Sequence, residues 1–89
     1  MKSKRRLLIE QIKQDPDTLK VMYSRKPCTL VEVHYTHQFA GGQREYTDCG
    51  FTRCSATEAW NPEAGVQRAY GRAMRAISRR VLRDERGRA

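Results

Sequence analysis

Thr29-Leu30-Val31-Glu32-Val33-His34-Tyr35-Thr36-His37-Gln38-Phe39 alternates with a period of two. Val31, Val33, Tyr35 and Phe39 fall on one face, and Glu32, Thr36 and Gln38 on the other, which is the pattern of a half-buried β-strand. Ala40-Gly41-Gly42-Gln43 follows as a tight reversal, because two glycines tolerate positive φ. Arg44 to Thr52 then supplies a returning strand, and the two strands make a β-hairpin whose outer face is expected to be polar. Gly50 marks a bulge or a close approach of backbone, and a third short strand is expected around residues 50–54.

Beyond the hairpin, Ser55-Ala56-Thr57-Glu58 has capping-box spacing and predicts a single turn through Trp60. Asn61-Pro62-Glu63 combines a cap, a proline at the first helical position and an early acid, so a long helix should run to about Leu82. Before the hairpin, residues 4–23 carry Leu8, Ile12, Leu19 and Met22 at helical spacing, interrupted at Asp15-Pro16-Asp17. That reads as one kinked helix or two, the second opened by Pro16 and capped by Asp15. Arg25-Lys26-Pro27 is a connection, since a residue preceding proline avoids the helical region. The fold class is α+β: an antiparallel hairpin or three-stranded sheet packed against a long C-terminal helix and an N-terminal helix. Residues 1–89 form a single small domain, with 1–5 and 84–89 fraying.

A chain of 89 residues cannot enclose a deep substrate cleft easily, and oligomerisation would add stability. Lys plus Arg number 18 against 10 Asp plus Glu, a formal charge of +8, so the expected partners are polyanions or acidic protein faces. After the basic opening the apolar run is only Leu7-Leu8-Ile9, too short for an export signal, and nothing approaches a membrane span. The expected location is cytoplasmic. Three cysteines, Cys28, Cys49 and Cys54, are an odd number and suit a reducing compartment.

On a helical wheel of the last helix, Val66, Ala69, Tyr70, Ala73, Ile77 and Val81 form one apolar sector. Arg68, Arg72, Arg75, Arg79, Arg83 and Arg86 lie nearly opposite, with no acid among them. An ordinary solvated face mixes signs, whereas this one repels itself slightly and offers only cations. Arginine outnumbers lysine 13 to 5, and its planar fork binds phosphate or carboxylate in a bidentate way that lysine cannot. The sequence therefore predicts a non-catalytic binding module. In the first reading Arg68, Arg72, Arg75, Arg79 and Arg83 neutralise DNA or RNA phosphates, with the N-terminal Lys2, Lys4, Arg5 and Arg6 extending the footprint. In the second the same residues grip an acidic host protein, anchored by Tyr46 or Trp60. A self-complementary apolar patch at the unpaired hairpin edge could make a homodimer that aligns two stripes.

Two resemblances bear on these expectations. The order of helix, antiparallel strands and long terminal helix resembles the double-stranded-RNA-binding domain, whose final helix contacts RNA phosphates. That family's helix opens with clustered lysines, whereas this one opens Asn61-Pro62-Glu63, so the likeness lies in topology. The runs Gly50-Phe51-Thr52-Arg53-Cys54-Ser55, Trp60-Asn61-Pro62-Glu63-Ala64-Gly65 and Ala69-Tyr70-Gly71-Arg72-Ala73-Met74-Arg75 are similar to a pattern in small bacteriophage-encoded proteins of unassigned function. The second resemblance implies an accessory product acting in the host cytoplasm, binding nucleic acid or inhibiting or redirecting a host protein. It also implies that Gly71 lets helix pack closely on sheet and that Trp60 seals the end of the core.

His34, His37, Cys49 and Cys54 are zinc-ligand types, but their spacing is poor, and residues 34 and 37 face opposite sides of a strand. Neither a metal nor a cofactor is expected. No nucleophile with an orienting base, paired carboxylates or phosphate-cradling loop is evident, and Asp48, Glu58 and Glu63 read as turn and cap residues.

Overall fold

A computed structural model describes residues 3–87 of the chain. Five elements follow one another: α1 (Lys4–Gln14), β1 (Thr18–Arg25), β2 (Cys28–Phe39), β3 (Gly42–Arg53) and α2 (Pro62–Gly87). The strands form one antiparallel sheet in the order β1-β2-β3. The fold is α+β, with a three-stranded antiparallel sheet, an N-terminal helix and a long C-terminal helix, as the hairpin and the terminal helix had indicated.

The third strand lies elsewhere than expected. Residues 18–23, which have the spacing of a helix, and Arg25, expected in a connection, belong to β1 and pair with β2 through Leu19↔Val33, Val21↔Val31, Tyr23↔Leu30 and Arg25↔Cys28. A register shift between Val21 and Tyr23 places a bulge at Met22. Residues 50–53 are simply the end of β3, whose pairing with β2 is unbroken from Phe39↔Gly42 to Cys28↔Arg53, so Gly50 carries no bulge. Asp48 is likewise a strand residue opposite Val33, not a turn residue.

Gly50 is instead the point where helix meets sheet. An ideal Cβ there would lie 1.7 Å from the Ala69 carbonyl oxygen and 3.1 Å from the Ala73 nitrogen. Only a residue without Cβ lets β3 touch the α2 backbone. Gly71, assigned that role by resemblance, has nothing nearer to an ideal Cβ than the Arg75 guanidinium at 3.9 Å.

The core fills the space between one sheet face and the helices. Val33, Tyr35 and Tyr46 from the sheet, Leu8 and Ile12 from α1, and Ala73, Met74, Ile77 and Val81 from α2 are buried together. Trp60 is half-buried and lies outside this cluster, so it does not seal the core. Ser3 caps α1 by accepting from the Arg6 N–H at 3.2 Å. Asn61 caps α2 the same way, its Oδ1 accepting from the Ala64 N–H at 3.2 Å. Before that cap, Ser55–Glu58 makes the expected single turn, though it ends before Trp60: the Glu58 N–H donates to the Ser55 carbonyl at 3.2 Å and the Ser55 N–H to the Glu58 carboxylate at 3.4 Å.

α2 continues through Gly87. Asp84 sits within α2, where the Tyr46 hydroxyl donates to it at 2.6 Å and Arg44 pairs with it at 3.2 Å. Residues 1, 2, 88 and 89, with Lys2 among them, lie outside the described residues.

Candidate nucleic-acid interface

Burial of Ala69, Ala73, Met74, Ile77, Ser78 and Val81 fixes the rotation of α2 about its axis. Helical periodicity then turns Arg68, Arg72, Arg75, Arg79, Arg83 and Arg86 outward, and all six are exposed. α1 docks beside α2 through Leu8 and Ile12. Between the two helices runs an open groove of about 710 Å³. Its α1 wall carries Arg6, Ile9, Glu10 and Lys13; its α2 wall carries Gln67, Arg68, Gly71, Arg72 and Arg75. Five cations thus face one another across a channel with a single acid.

The three α2 arginines that line the groove are already held in place. The Arg68 guanidinium pairs with Glu58 at 3.3 Å. Arg72 Nη1 donates to the Phe51 carbonyl at 2.8 Å, and Arg75 Nε to the Gly71 carbonyl at 3.2 Å. Each guanidinium has five donors, so one contact leaves most of the fork for a ligand while reducing the side-chain entropy lost on binding. Hydrogen bonds from Ser55, and then the Arg68 charge, hold the Glu58 carboxyl below its usual range. Glu58 therefore stays ionised beside the stripe, an acid brought in from the loop that the helical wheel could not show.

The structure divides the residues expected at the site. Arg6, Arg68, Arg72 and Arg75 converge on the groove; Arg79 and Arg83 continue the stripe along α2. Arg5 is exposed in the first turn of α1. Lys4 turns away to a separate cleft of about 250 Å³ with Leu82, Glu85 and His37. Of the proposed aromatic anchors, Tyr46 is 2% exposed and cannot anchor a partner.

Lys13 and Arg80 add to the basic residues expected on the two helices. Lys13 stands seven residues after Arg6, two helical turns along the same face, a spacing readable from sequence. Arg80 caps the free edge of β3, donating to the Thr47 carbonyl at 2.9 Å, lying 3.6 Å from Asp48 and stacking over the Tyr46 ring at 5.5 Å. With Arg72 on Phe51, it occupies two carbonyls of the β3 edge, which discourages further strand pairing there.

The first turn of α1 contains no acid, and Lys4, Arg5 and Arg6 crowd the positive end of its dipole. That arrangement opposes helix stability and favours an anion nearby. The imidazoles are otherwise engaged: His34 contacts Glu32 at 2.7 Å and Thr47 at 2.8 Å, and His37 contacts the Tyr35 hydroxyl at 2.9 Å. Among the described residues no three His, Cys, Asp or Glu side chains cluster as a metal site, and no helix is long and apolar enough to cross a membrane. No protein family, curated protein or solved structure matches the chain.

Proposed function

We propose that this protein is a non-catalytic nucleic-acid-binding module whose α1–α2 groove and adjoining α2 stripe contact the phosphate backbone. The observation that carries the reading is the convergence of Arg6, Lys13, Arg68, Arg72 and Arg75 on one groove with Glu10 as its acid. Closely spaced cations neutralise a polyanion and release its condensed counterions, the sequence-independent source of affinity for DNA and RNA. Arginine forks at several heights along one helix match successive phosphates. The order of helix, three antiparallel strands and closing helix is also the topology that the double-stranded-RNA-binding resemblance implies.

Charge reversal provides the test. Lys13 and Arg75 are exposed and lie on opposite walls, so Lys13→Glu/Arg75→Glu should fold as the parent does. Fluorescence anisotropy with labelled duplex DNA and duplex RNA should show micromolar or tighter binding by the parent and none by the double variant. Failure of the parent to bind at low salt would reassign the groove to an acidic protein surface.

A further inference from the structure

The sheet face turned away from both helices carries Glu32, His34, Thr36 and Gln38 from β2, polar as the strand pattern suggests, but one row across it is apolar. Cross-strand neighbours share a face, and the register places Tyr23, Leu30 and Phe51 in one row across all three strands. Tyr23 is 48% and Phe51 50% exposed. The next row toward the strand ends is Arg25, Cys28 and Arg53; the row on the other side is Lys20, Glu32 and Cys49. Glu32 is held by His34 at 2.7 Å, which leaves Lys20, Arg25 and Arg53 as the cations around the aromatic row.

We infer that this row is a stacking platform for the bases of single-stranded nucleic acid. Tyr23 and Phe51 spring from strands two spacings apart, roughly 9.5 Å, with Leu30 between them, so each ring can take a separate base. Aromatic faces bind bases irrespective of sequence while surrounding cations hold the phosphates, a combination suited to single strands. A duplex keeps its bases stacked inside and offers these rings nothing. The platform is continuous with the groove, because groove-lining Arg72 reaches over the β3 edge to the carbonyl of Phe51 itself. A flexible strand leaving the groove past Arg72 arrives at the Phe51 ring. The inference rests on the groove reading for the polyanion and adds a base-binding face that only a single strand can use.

Anisotropy with labelled oligothymidylate and oligouridylate of about 12 nucleotides, beside a duplex of the same length, tests it. Tyr23→Ala and Phe51→Ala should each weaken single-strand binding by about tenfold and leave duplex binding unchanged; Phe51→Tyr should bind as the parent does. Far-ultraviolet circular dichroism checks that the variants fold. Single-strand binding unaltered in both alanine variants overturns the inference, as does a parent that binds duplex but no single strand, and in either case the groove reading stands if duplex binding is seen. Loss of duplex and single-strand binding in the parent ends both. A parent that sediments as a dimer and a Phe51→Ala variant that sediments as a monomer would make the face a self-association surface and also overturn the inference.

Discussion

Substituting Gly50 by alanine should unseat α2 from the sheet. The added Cβ would sit 1.7 Å from the Ala69 carbonyl oxygen and 2.6 Å from its carbon. An ordinary C···O contact is about 3.3 Å, so α2 must withdraw by about 1.6 Å. The obstacle is backbone, and no rotamer change relieves it. A radial gap of 0.5–1 Å already forfeits roughly a quarter to a half of a dispersion well, and here it would open under Ala69, Ala73 and Ile77, all fully buried. Overpacking costs about 1–3 kcal/mol where side chains can adjust, so about 3 kcal/mol or more is expected. For 89 residues total stability is about 4–13 kcal/mol. Tm should fall by about 12–24 °C, read by thermal circular dichroism. Gly71→Ala is the matched control: its Cβ meets nothing nearer than 3.9 Å, and removing a mid-helix glycine should raise stability by about 0.8–1 kcal/mol. A Gly50→Ala protein melting within about 2 °C of the parent would refute the close approach of β3 to α2.

Other parts of the structure make independent predictions. Among the described residues the buried Thr29 hydroxyl finds no hydrogen-bond partner, so Thr29→Val should stabilise the fold by about 1 kcal/mol, seen as a higher urea midpoint with unchanged slope. The Tyr46 hydroxyl bond, with lesser help from Arg44, Arg83 and Arg80, holds the Asp84 carboxyl below its usual range. Because that pKa is depressed by folding, the stabilisation is present above the unfolded carboxylate pKa and disappears as pH falls through the folded value; Asp84→Asn should flatten the acid limb of a stability–pH curve. Burial, and then the Asp84 hydrogen bond, pushes the Tyr46 phenol up to about 12. The raised pKa has the opposite sign, with stability intact below the unfolded phenol pKa of about 10 and lost as pH climbs through the folded value. Tyr46→Phe should remove that alkaline loss in a thermal melt series.

The hairpin and α2 were readable because their signals are local: strict alternation from Thr29 to Phe39, and Asn61-Pro62 at a helix start. β1 was not, for a local reason too. Leu19 and Val21 alternate, but the bulge at Met22 shifts Tyr23 onto the other face, so apolar residues at 19, 21, 22 and 23 lose their period and Leu19 with Met22 imitate a helix. Pairing with β2 decides the matter, and that pairing is tertiary. The arginine stripe was legible from the wheel alone. The groove was not, since the placement of α1 beside α2 depends on Leu8 and Ile12 meeting the shared core. Glu58 beside Arg68, and Arg72 at the β3 edge, likewise arise only when the loop and sheet edge come alongside the helix.

The central claim is that five groove cations displace counterions from a nucleic-acid backbone. Its most direct test is the salt dependence of duplex binding by the parent and by Lys13→Ala/Arg75→Ala. Five phosphate contacts predict a log–log slope of about −4.5, which is about 500-fold weaker binding between roughly 50 and 200 mM salt. Removing two contacts should reduce the slope to about −2.7. A slope near zero, or one that the double variant leaves unchanged, would contradict the groove as the phosphate-binding site.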